Sequence, residues 1–86
     1  MAAHEWNFGV TFQVASGRYQ TVTNVLEAVT ALENGWPVED GDEYREAKKA
    51  CHDAIEHRKS AHLAQLFFIR AAKEAGMYVM PKPHDH

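Results

Sequence analysis

Trp6, Phe8, Val10, Phe12 and Val14 alternate with Asn7, Gly9, Thr11 and Gln13. No other feature of the chain narrows its fold as far. A period of two with one apolar face is a half-buried strand, and such a strand needs both a neighbour and a covering layer. The neighbour follows at once. In "ASGR", Gly17 can take positive φ and turn the chain back, and "RYQTVT" reads as a second, weaker strand. A hairpin alone is marginal in water, so the remaining chain must supply the cover.

It does so with three helices. Asn24 is a good N-cap, with Glu27 three residues on. Val25, Ala28, Val29 and Leu32 then share one side, and Gly35 ends the helix as a C′ residue. Pro37 forbids resumption and holds Trp36 extended. Asp40-Gly41 turns the chain and Asp42 is expected to cap a second helix, whose apolar stripe is Tyr44, Ala47, Cys51, Ala54 and Ile55. Ser60 caps a third helix, running to about Ala75 with Gly76 as its C′ residue. "MYVM" then reads as a short edge strand stopped by Pro81. The order β-β-α-α-α-β defines an α+β domain, a small antiparallel sheet with its helices on one face. Residues 1–80 are expected to form this single domain, and 81–86 ("PKPHDH") a disordered tail.

On the third helix Ala64, Phe67, Phe68, Ala71, Ala72 and Ala75 cover nearly half the circumference, while Leu66 and Ile69 fall outside that arc, beside Gln65, Arg70 and Lys73. A second covered side is therefore expected, supplied by the same chain or by another.

The pieces "NFGVTFQV", "GRYQTVTN", "LEAVTALENGWPVEDGDEYREAKKACHDA" and "FFIRAAKEAG" resemble a family of small alphaproteobacterial proteins catalogued as domain of unknown function 982. The likeness covers nearly the whole chain. It is most specific at Trp36-Pro37, Gly41, Tyr44, Ala47 and Cys51, then at Ala71, Ala72 and Ala75. The resemblance implies a compact cytosolic domain and no particular activity. It also implies a glycine between the second and third helices, where this chain has His57-Arg58-Lys59, and an arginine early in the third helix, where it has Gln65.

The candidate chemistry is sparse. Net charge is -3, so nothing global draws the chain to nucleic acid or to an anionic membrane. No apolar run approaches the roughly 20 residues that span a bilayer, and the N-terminus has no signal-peptide pattern. A single cysteine, Cys51, fits a reducing cytoplasm. Mid-helix on an apolar stripe, it reads as a core residue and not as a nucleophile. Asp53, His57 and His62 form a loose trio, with His4, His84 and His86 elsewhere, but no metal-binding spacing appears. Arg45, Lys48, Lys49 and His52 line the second helix, interrupted by Glu46, Asp53 and Glu56. Its acidic start and basic end match the helix dipole. No glycine-rich phosphate loop is present. No catalytic, cofactor or metal residue is therefore assigned.

Trp36 has two readings. It is either a wedge under the corner between the first two helices or an exposed anchor for a partner. Trp36, Leu66 and Ile69 are the candidate interaction residues. The leading expectation is a non-enzymatic interaction module of the cytoplasm, self-associating or binding a protein partner through the third helix. A small DNA-binding regulator using the second or third helix is the alternative, and a thiol sensor or enzyme at Cys51 a more remote one.

Overall fold

The computed structural model describes residues 5–14, 17–34, 36–37 and 39–80. The expectations placed on His4, Gly35, Pro81, His84, His86 and the tail lie outside these residues. The elements are β1 (Glu5–Gln13), β2 (Tyr19–Asn24), α1 (Val25–Glu33), α2 (Asp42–Ile55) and α3 (Ala61–Glu74).

β1 and β2 pair antiparallel, with Val10 opposite Val22, Thr11 opposite Thr21, Phe12 opposite Gln20 and Gln13 opposite Tyr19. Gly17 takes φ 86° in the turn, as its position required. The register shifts between Glu5 and Val10. Gly9 lies in this irregular stretch, where a β-carbon would stand 2.8 Å from the Thr21 methyl group, so glycine lets the strands close up. Trp6, Val10 and Phe12 are buried as the alternation predicts, while Phe8 is only half-buried. The "MYVM" strand contracts to a bridge between Phe12 and Val79. Gln13 N–H donates to the Tyr78 carbonyl and Met80 N–H to that of Thr11, both at 2.8 Å. These bonds give β1 a neighbour on its second edge.

The helices cover the face that carries Trp6, Val10, Phe12 and Val22. α1 buries Val25, Ala28, Ala31 and Leu32; α2 buries Tyr44, Ala47, Ala50, Cys51 and Ala54; α3 buries Ala64, Phe68, Ala71 and Ala72. Small residues dominate where α2 meets α3, which lets the helix backbones approach closely. Phe68 lies at the centre, its ring 5.7 Å from Trp6, 5.5 Å from Phe12 and 5.4 Å from Trp36.

The helix ends follow local chemistry with one exception. Asn24 accepts from Glu27 N–H, and the Glu27 carboxylate reaches back to Thr23, one residue beyond the usual capping-box partner. Ser60 caps α3 by accepting from Leu63 N–H at 3.1 Å. At the end of α3, Gly76 (φ 79°) donates to Lys73 and Met77 donates to Ala72, a Schellman turn. The end of α2 makes the same turn without glycine. His57 takes φ 63° and donates to Ala54, and Arg58 donates to Asp53.

The exception corrects the cap assigned to Asp42. The N-cap is Gly41, with no side-chain cap bond of its own, and Asp42 is already helical. The donors at the start of α2 go instead to the carboxylate of Glu74, which accepts from Glu43 N–H and Tyr44 N–H, each at 3.1 Å.

Candidate interaction surfaces

Trp36 is the wedge. Its exposure is 5%, and besides Phe68 its ring meets Phe12 at 5.9 Å and Tyr44 at 6.4 Å. The Tyr44 hydroxyl donates to the Leu32 carbonyl at 2.8 Å, tying α2 to the last turn of α1. Trp36 therefore sits under the corner and offers little surface to a partner. The Nε1 atoms of Trp36 and Trp6 are both buried with no acceptor among the described residues. A crevice of about 100 Å³ opens beside the ring, lined in part by Phe12, Val14 and Met77. That is well below the several hundred Å³ of an ordinary small-molecule site.

Cys51 is fully buried, and burial pushes its thiol from 9.0 up to about 12. Such a thiol is protonated at neutral pH and is a poor nucleophile. The neighbouring His52 turns away, with Nε2 3.7 Å from a Glu33 carboxylate oxygen. Asp53, His57 and His62 do not assemble. Asp53 faces Arg58 Nε at 3.5 Å, and among the described residues no three His, Cys, Asp or Glu side chains are placed to hold a metal ion.

Much of the basic stripe of α2 is engaged locally. Arg45 donates to the Asp40 carbonyl and pairs with Asp42, Lys48 lies 5.4 Å over the Tyr44 ring, and Arg58 pairs with Glu56. The outer face of α3 differs. Leu66 is 45% exposed and Ile69 half-buried against the core, with exposed His62, Arg70 and Lys73 around them. Arg70 stacks over the half-buried Phe67 ring at 5.5 Å. The second side foreseen for this helix is thus partly covered at Ile69 and open at Leu66.

Three features were missed. Gln65 is 1% exposed and donates to the Phe8 carbonyl at 2.9 Å. Glu74 caps another helix. The sheet face that no described element covers carries Tyr19, Tyr78 and Met80, exposed by 55%, 54% and 44%. The register could have disclosed the last of these, since Tyr19 pairs with Gln13 on the face opposite Phe12.

The described residues form a two-layer α+β domain with exposed apolar side chains on the outer face of α3 and on the sheet. The profile of the family described as "Protein of unknown function (DUF982)" matches residues 9–79, and the chain belongs to that family. No curated protein and no solved structure matches it. No helix among the described residues is long and apolar enough to cross a membrane.

Proposed function

We propose that this chain is a non-enzymatic interaction module of the cytoplasm that docks a protein partner on the outer face of α3. Leu66 carries the reading. A leucine 45% exposed at the middle of a helix face, beside the half-buried Ile69, is surface that a partner can desolvate. Burial of Cys51 and of Trp36 supports a scaffold that uses its reactive and aromatic groups for its own core. Docking of a second copy through α3 is a special case, and it would bring His62, Arg70 and Lys73 of two molecules together. The test compares proteins retained by the full chain and by its Leu66→Asp variant. Loss of a retained protein in the variant supports the reading, and identical retention overturns it.

The same three basic side chains favour a second reading, duplex DNA along α3. Fluorescence polarisation over a salt series tests it. No affinity at low salt disposes of it.

A further inference from the structure

We propose that α1 of a second copy is the segment that covers the outer face of α3, so that copies join head to tail. The proposal rests on the reading of α3 as a docking surface and names its occupant. Among the large hydrophobic side chains that stand exposed, Leu26 and Leu66 are the two on helices, at 56% and 45%. Their surroundings are opposite in charge. α1 carries Glu27 and Glu33 and no basic residue. Its exposed Leu26, Thr30 and Glu33 recur at i, i+4 and i+7, along one side of the helix. On α3 the exposed His62, Leu66, Arg70 and Lys73 line one side in the same way. The single acid of that helix, Glu74, is bound to the start of α2. The acids of α1 are held only lightly. Glu27 accepts from Thr23 through Oε1, and Glu33 stands 3.7 Å from His52.

Charge complementarity selects the occupant. Two α3 faces repel each other, as do two α1 faces, whereas α1 on α3 sets acids against bases around a pair of leucines. Shape agrees with charge. A groove of about 380 Å³ lies between α1 and β2, lined by Leu26, Glu27, Thr30, Gln20, Thr21 and Val22, and Leu66 projects from α3 to fill it. With Leu66 against Leu26, Glu33 lies about 10 Å further along α1. Arg70 and Lys73 stand on that side if the two helices run parallel, and His62 and Lys59 if they run antiparallel. Either direction brings opposite charges together. The two copies contribute different surfaces, so each added copy leaves one α1 face and one α3 face free, and growth continues unless the rotation closes. Exposed ion pairs contribute little each and are screened by salt. The association is therefore weak and sensitive to ionic strength.

Sedimentation velocity of the full chain, from micromolar to millimolar concentration and in low and high salt, tests this. The average mass should climb with concentration and fall with added salt. Leu26→Gln and Leu66→Gln should each weaken association at least about tenfold. An equimolar mixture of the two variants should associate again as one-to-one dimers, because each keeps the face that the other lacks. Circular dichroism melts check that these exposed substitutions leave the fold intact. Association that survives either single substitution overturns the head-to-tail joint, and so does a mixture that stays monomeric. If association is lost with Leu66→Gln alone, α3 remains the docking surface and only its pairing with α1 fails. A chain monomeric at millimolar concentration also overturns the joint, and retention of another protein by that monomer would leave the α3 reading standing.

Discussion

The carboxylate of Glu74 occupies the space that a β-carbon on Gly41 would need. Gly41 has an ordinary φ of -78°, so the glycine is required by this approach and not by its backbone angle. The last residue of α3 thereby caps α2 from 31 positions away. An anion at a helix N-terminus also meets the favourable end of the dipole.

Removing either member should cost the same cap. Glu74→Ala loses both acceptors. Gly41→Ala displaces a flexible carboxylate, which is sterically cheap in itself but breaks the same two bonds. Each variant should lose about 1–2 kcal/mol. The double variant should lose little more than one single, because the second change has nothing left to break. Urea denaturation of the four proteins measures this, and simple additivity would refute the shared cap.

Gln65 predicts an ordering. Gln65→Leu keeps the bulk and removes the buried hydrogen bond to the Phe8 carbonyl, at a cost of about 1–3 kcal/mol. Gln65→Glu puts an acceptor where a donor is needed and should cost more. Midpoints of chemical denaturation should fall in the order wild type, Leu, Glu.

His57 is a non-glycine residue in the left-handed region, at the C′ position of α2. His57→Gly should stabilise the domain by about 0.5–1 kcal/mol, because relief of the β-carbon clash outweighs the added freedom of the unfolded chain. His57→Val should destabilise it, since a β-branched residue tolerates this conformation least. Thermal melts of the two variants should therefore shift in opposite directions.

Cys51 predicts a pH dependence. Its thiol is held neutral to about 12 in the fold but ionises near 9.0 when unfolded. Above pH 9 the unfolded chain binds fewer protons than the native one, so stability falls as pH rises. The contribution is fully present below pH 9 and is lost progressively towards pH 12. Cys51→Ala should remove this dependence from the alkaline melting curve. Alkylation of the wild type at neutral pH should be slow until denaturant is added.

Local pattern made most of the fold legible. The strand alternation, the Asn24 and Ser60 caps, Gly17 and Gly76 each act within a few residues of themselves. So does the stop that the resemblance led one to seek at a glycine near His57, which the chain achieves with His57 itself. The missed features depend on partners remote in sequence. Asp42 is the obvious local cap, and nothing near Gly41 announces Glu74. Gln65 is polar and borders Ile69 on the helical wheel, so its burial follows only from the Phe8 carbonyl, 57 residues away. Among the surface candidates, Leu66 was visible from helical spacing. That one sheet face would stay open followed from placing the helices on the other, but its apolar content at Tyr78 and Met80 depended on the bridge that aligns Val79 with Phe12.

The terminal bridge at Val79 sets a hazard for incomplete chains. A polypeptide released before residue 78 would hold both strands and all three helices, yet leave the Gln13 N–H and the Thr11 carbonyl without their partners. Such an unprotected margin invites pairing with whatever strand comes near. Prematurely terminated product should therefore clump, and residues 78–80 serve the molecule as a seal.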